Sequence, residues 1–153
     1  MKTNKNAKKK NYSSVKSGGT KKLGMPVKKQ KKIIEYYYMT PQETNAKDIS
    51  LCITAVPEDQ IEVWPALNLL EVVMVSDSLI FQDAHECFED PLDLEFIEEH
   101  QFKSIYQISF EVEDTDLVRK VMTEILEHKG GMILSDTDTF EPIYDVNSVA
   151  SIG

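Results

Sequence analysis

Eight carboxylates, Asp83, Glu86, Glu89, Asp90, Asp93, Glu95, Glu98 and Glu99, fall within seventeen residues. A run of that density makes a negative surface, able to compete with nucleic acid for a basic protein or to clamp a basic toxin or enzyme. The plainer alternative is a solvated face that keeps the chain soluble. Against it stands the absence of cations: no Lys or Arg occurs between Lys47 and Lys103, where 14 carboxylates lie. Ordinary surfaces intersperse both signs, because like charges in one field destabilise the compact state. Trp64, Phe88 and Phe96 share this stretch and would supply anchoring contacts to a partner wherever they are exposed.

Three further groups could do chemistry. Asp136, Asp138 and Glu141 could hold Mg²⁺ or Ca²⁺, but an EF-hand loop needs an oxygen donor where Phe140 stands and glycine where Glu141 stands. Turn-forming Asp and Thr after a strand explain the segment better. His85 and Cys87, two apart, reach one metal only from an extended segment, and no second pair completes four ligands. As nucleophile and base they are poorly placed, since a base must lie within hydrogen-bond reach of its nucleophile. The third group is cationic: Lys8, Lys9, Lys10, Lys21, Lys22, Lys28, Lys29, Lys31 and Lys32 belong to a Lys-rich stretch that could hold nucleic acid phosphates or anionic lipid without sequence preference. Only Tyr12 interleaves these lysines and Arg is absent, so base stacking and bidentate phosphate recognition have little to work with.

The charge divides cleanly along the chain. Residues 1–32 hold 12 of the 17 Lys and Arg and no Asp or Glu, which leaves five cations against 26 carboxylates, a formal −21, over residues 33–153. The first stretch, rich in Lys, Asn, Ser, Gly and Thr, has too little apolar surface to offset the entropy of ordering and is expected to be a disordered tail. It carries no apolar run of signal-peptide length, and nowhere are there about 18 consecutive apolar residues, so neither a leader nor a membrane span is expected. Cys52 and Cys87 lack any paired spacing and are read as reduced thiols of a cytoplasmic protein.

One acidic domain over residues 33–146 must position these groups. Residues 33–39 have the β-branched and aromatic content of a strand. Ile49, Leu51, Ile53 and Ala55 alternate, which predicts a strand over 49–55. Ile61, Trp64 and Leu67 predict a helix over 57–71, kinked or divided at Pro65. Short strands at 72–75 and 79–81 flank a turn at Ser76-Asp77-Ser78. A helix after Pro91 is expected to turn Leu94, Phe96 and Ile97 inward and Glu95, Glu98 and Glu99 outward. Tyr106, Ile108, Phe110 and Val112 alternate as a half-buried strand. Leu117, Val118, Val121, Met122, Ile125 and Leu126 form the stripe of a helix, capped by Asp114, Thr115 or Asp116 and ended by Gly130-Gly131. A strand at 132–134 follows, and residues 147–153 are expected to fray.

The two halves read alike: strand, helix, then strand with Ser-Asp-(Ser/Thr)-x-x-Phe, at 76–81 and at 135–140. That pattern suggests an α+β, ferredoxin-like β-α-β-β-α-β sandwich built by internal duplication. Helices would cover one face, and 82–101 would be an acidic insertion. No Walker loop, GxGxxG, GxSxG, HExxH or CxxC is present, which lowers the expectation of a common enzyme class, and no cofactor is expected. The leading expectation is a non-enzymatic acidic protein that binds a basic protein partner, of inhibitor or immunity type. The alternatives are a nucleic-acid-associated protein using its lysines as a basic arm and, more weakly, a divalent-metal enzyme. The tail could also dock on the acidic insertion of its own chain or of a homodimer mate.

Overall fold

Ile33–Thr40 forms strand β1, and its run of three tyrosines and a methionine is buried from Tyr36 onward. A strand apolar on both faces belongs in the middle of a covered sheet. The computed structural model, which describes residues 31–153, places it there. The remaining elements are helix α1 (Ala46–Ser50), β2 (Ile61–Trp64), β3 (Leu69–Val73), β4 (Ser78–Asp83), α2 (Pro91–Glu99), β5 (Ser104–Glu111), α3 (Thr115–Lys129), β6 (Met132–Ser135) and β7 (Ile143–Tyr144). Among the described residues the seven strands make one antiparallel sheet in the order β2-β3-β4-β5-β1-β6-β7. The unit is α+β, and none of its helices is long and apolar enough to cross a membrane. The tail expected over 1–32 lies outside the described residues except for Lys31 and Lys32.

Alternation along β1 divides the core in two. Tyr36 and Tyr38 join Phe81, Tyr106, Ile108, Phe110 and Ile133 beneath α1 and α3, whose Val118, Val121, Met122, Ile125 and Leu126 are all buried. Tyr37 and Met39 point the other way, with Ile105 and Leu134, and meet Phe88, Phe102, Phe140 and the inner side of α2. Helices therefore lie on both faces, not on one. Gly131 makes the close approach of α3 to β1 practicable: at φ 91° it follows the helix end, and a β-carbon there would sit 2.3 Å from the Met39 carbonyl oxygen.

The first half departs most from expectation. Residues 49–55 are not a strand, because Asn45 accepts the Asp48 N–H at 2.8 Å and caps a helix that takes in Ile49, after which two turns carry the chain through Cys52 and Ile53. Nor is 57–71 a helix. Pro57 and Pro65 divide it into a 3-10 turn (Glu58–Gln60), β2, a second 3-10 turn (Pro65–Leu67) and β3, with Asn68 in the left-handed region at φ 49° to reverse the chain. The second expected copy is present as β5–α3–β6, whereas the first, which needs a strand at 49–55 and a helix at 57–71, is not. The end of the chain is docked, not frayed. Val149 and Ile152 are buried, Arg119 Nε donates to the Ile152 carbonyl at 2.9 Å, and the Gly153 N–H donates to the Tyr36 hydroxyl at 3.0 Å.

Asp114 does not cap α3 with its side chain. The buried carboxylate instead accepts the N–H groups of Ser76 at 2.9 Å and Asp77 at 3.0 Å, holding the β3–β4 turn against the start of the helix. Leaving two buried donors unpaired costs about 1–3 kcal/mol. Asp114→Ala should lower urea-unfolding stability by that amount, with Asp114→Asn losing less because one acceptor remains. A change below about 0.5 kcal/mol would contradict this role.

Candidate functional site

The acidic run does several different jobs. Asp83 ends β4, and Glu86 sits on a 3-10 turn (His85–Cys87). Asp90 caps α2 by accepting the Leu92 N–H at 2.9 Å, with Pro91 pre-set at the first helical position. Glu89 precedes the helix, and Glu95, Glu98 and Glu99 are exposed on it, whereas Asp93 is half-buried. Phe96 and Ile97 turn inward as expected, but Leu94 is exposed. Phe96 packs on His100, Phe140 and Phe102, at centroid distances of 4.1, 4.9 and 6.3 Å. Phe88 is buried against Tyr37, with ring centroids 4.9 Å apart, and so is unavailable as an anchor. Trp64, 39% exposed at the end of β2, is available.

Trp64 lies on the same sheet face as α2, because registry brings Tyr37, Gln107, Gln82, Leu69 and Trp64 into one transverse row across β1, β5, β4, β3 and β2. Phe88 covers the Tyr37 end of that row, whereas Gln82 and Trp64 at the other end are exposed. The adjacent row on this face reads Glu35, Ser109, Ile80, Glu71 and Glu62. Glu62 stands directly opposite Glu71, an unfavourable like-charge pairing, while Ser78 Oγ donates to Glu71 at 2.6 Å. Three carboxylates thus cross about 19 Å of sheet, four strand spacings wide. Sequence reasoning missed this row, since its members lie far apart in the chain. The signal available was the alternation of Leu69, Glu71 and Val73 with Leu70 and Val72.

A second polar group joins four segments. Tyr106 donates its hydroxyl to Asn68 Oδ1 at 2.9 Å, the same oxygen accepts the Ala46 N–H at 2.8 Å, and Asn68 Nδ2 donates to Asp83 at 2.8 Å. Asp83 Oδ1 meets both the backbone N–H and Nδ1 of His85 at 2.9 Å, and His85 Nε2 lies 2.8 Å from the Lys103 carbonyl. Carboxylate and carbonyl only accept, so both ring nitrogens donate and the imidazole is charged. Partial burial pulls the His85 pKa down, but the bonds to the Lys103 carbonyl and Asp83 outweigh it and leave the pKa above 6.5. Burial would raise Asp83, yet the His85 N–H, its ring and Asn68 hold its pKa below 3.8. With both nitrogens engaged, His85 has none free to act as a base; the group ties α1, β3, β4 and β5 together.

The remaining candidates separate. Asp136, Asp138 and Glu141 are exposed on the β6–β7 connection, which closes on itself through Ser135 N–H to the Phe140 carbonyl at 3.0 Å and Thr137 Oγ1 to the Glu141 carbonyl at 2.8 Å. Among the described residues no three of His, Cys, Asp or Glu gather where a metal could be held. Cys52 is buried and Cys87 half-buried, and the two form no disulfide with each other. Of the nine lysines singled out, Lys31 and Lys32 are described. Lys31 Nζ bonds Asp77 at 3.0 Å, lowering the Asp77 pKa, and the Lys32 carbonyl accepts the Val112 N–H at 2.8 Å. Comparison with protein families, curated proteins and solved structures finds no match to this chain.

The His85–Asp83 contact sets a pH dependence. A raised histidine pKa means that its contribution is complete below about 6.5 and is lost as pH rises through the higher folded value. The depressed Asp83 pKa adds loss only in acid, as pH falls through that lower value. Between about pH 6 and pH 8.5, urea-unfolding stability should therefore fall more in the native sequence than in His85→Gln. The difference should be about 1 kcal/mol or less, because both side chains are more than one-third exposed and screened by solvent. Parallel profiles would contradict the assignment.

Proposed function

We propose that this chain is a non-enzymatic interaction protein of inhibitor or immunity type, whose acidic domain binds a basic surface of a partner macromolecule. The observation that carries the reading is the open sheet face. Glu35, Glu71 and Glu62 cross it in one row, Glu62 against Glu71, within a domain that has no Lys or Arg from residue 48 to 102. The Glu62–Glu71 pairing is unfavourable on its own and relieved by an incoming cation, so its retention favours a cationic partner. Long-range attraction would speed encounter, and Trp64 at the rim would supply a desolvated anchor. The exposed Glu95, Glu98 and Glu99 of α2 extend the same field. Nucleic acid is disfavoured as a ligand of this face, which repels phosphate.

The strand order β4-β5-β1-β6, with β5–α3–β6 straddling β1, supports reading the centre of the sheet as a ferredoxin-like core, widened by β2–β3 on one side and β7 on the other. Such a core hosts many activities, so it adds nothing to the choice of partner. Cys52 and Cys87, with no disulfide between them, favour a reducing, cytoplasmic setting.

Immobilised chain should retain basic proteins from lysate at low salt and release them as salt rises. The triple variant Glu35→Gln, Glu62→Gln, Glu71→Gln should slow association with a captured protein by about tenfold and flatten its salt dependence. Recovery of no basic protein from several extracts, or unchanged association by the triple variant, would overturn the reading.

A further inference from the structure

We propose that the outer edge of β2 is a strand-addition site for an extended peptide that presents apolar side chains on one face and Lys or Arg on the other. This rests on the basic-partner reading and narrows it to one edge and one partner chemistry. β2 is the last strand of the sheet among the described residues, so one row of its backbone N–H and C=O groups points away from β3. Its side chains alternate between two unlike environments. Ile61 and Val63 lean toward the α1 side, where a cleft of about 520 Å³ opens beside them, lined also by Leu51, Ile53 and Pro65 and by Lys47, Ser50 and Glu58. Leu51, 73% exposed, and Leu67, 65% exposed, leave that side apolar and uncovered. Glu62 and Trp64 face the opposite side.

A strand laid along this edge puts its own alternate residues beside the same two environments. Apolar residues would enter the cleft side, and a Lys or Arg would lie between the Glu62 carboxylate and the Trp64 ring, which attract a cation by charge and by quadrupole. A second copy of the chain is a poor occupant. Antiparallel pairing of two β2 strands brings together domains that each carry −21 over residues 33–153, and the register centred on residue 62 also sets Glu62 opposite Glu62. Pro57 and Pro65 bracket the strand and limit the addition to the length of Ile61–Trp64.

Trp64 is the only tryptophan, so its emission reports on the edge directly. The experiment titrates the full chain with three labelled synthetic peptides: alternating Val and Lys, the same composition in two blocks, and alternating Val and Glu. The alternating Val–Lys peptide should shift Trp64 emission and bind roughly tenfold more tightly than the block peptide, with the Val–Glu peptide weakest. Glu62→Lys and Leu51→Glu, both at exposed positions, should each weaken it by roughly tenfold with unchanged circular dichroism. Equal, salt-dependent binding of both Lys peptides without a Trp64 shift would overturn the edge proposal and leave the acidic-face reading standing. Failure of both Lys peptides to bind at low salt would overturn the two together. A Trp64 emission that changes with salt or with chain concentration before any peptide is added would assign the edge to an occupant from the chain itself, which also overturns the proposal.

Discussion

The inner strand β1 has to satisfy two cores at once, and the rest of the domain is arranged around it. Tyr36 and Tyr38 on one face of β1 and Tyr37 and Met39 on the other are all buried, while the strand pairs along both edges, with β5 and with β6. Its hydroxyls extend the hold into the helix layer. Tyr38 donates to the Gly130 carbonyl at 2.8 Å and Thr40 to the Lys129 carbonyl at 2.7 Å, satisfying two of the acceptors that the end of α3 leaves without helical partners. Tyr36 receives the N–H of Gly153. Burial raises the Tyr38 pKa well above its ordinary value, so the hydroxyl stays a donor across the neutral range.

That central demand explains why, among the described residues, no helix covers one half of a sheet face. Seven strands span about 29 Å, whereas the nine residues of α2 reach about 13 Å, so the helix that covers Tyr37 and Met39 cannot also cover β2 to β4. The outward positions of that half mix Glu62, Glu71, Gln82 and Gln107 with Leu69, Ile80 and Trp64. Charge there also discourages edge-to-edge association of copies. The surface proposed to bind a partner is thus a geometric remainder of the way β1 is buried.

The sequence was legible where periodicity and termination signals agreed. β1, β5, α3 with its glycine stop and the turn at Asp77 all follow from patterns of a few residues. It was misleading where one pattern had two readings. Ile49, Leu51 and Ile53 alternate like a strand, but a side-chain cap from Asn45 outweighs the alternation and leaves Leu51 exposed. Ile61, Trp64 and Leu67 have helical spacing, yet Pro57, Pro65 and a left-handed Asn68 make two strands of the segment. The carboxylate row was illegible for a different reason. Its members come from β1, β2 and β3, and only registry across five strands sets them side by side. Of the proposed aromatic anchors, Phe88 is sequestered because a sheet face with a short helix needs a large ring to close it.

Net charge alone overstates how much of this domain can face a partner. Asp83 is engaged with Asn68 and His85, Asp90 caps a helix, Asp114 holds a turn, and Glu124 grips the N–H groups of Thr54 and Ala55 at 2.9 and 3.0 Å and the Thr54 hydroxyl. Asp77 is paired with Lys31. Asp77 beside Lys31 and Asp83 beside protonated His85 are paired with cations and largely cancel at a distance, whereas Asp90, Asp114 and Glu124, matched by neutral donors, are fixed in place but keep their charge. Glu62 and Glu71 cross the open sheet, and Glu95, Glu98 and Glu99 line the helix that borders it. Exposed carboxylates also lie elsewhere, among them Glu43, Glu58, Asp59 and Glu127, so what distinguishes the sheet face is the placement of Glu62 against Glu71 beside the exposed Trp64 ring, which adds a local geometry to a net sign.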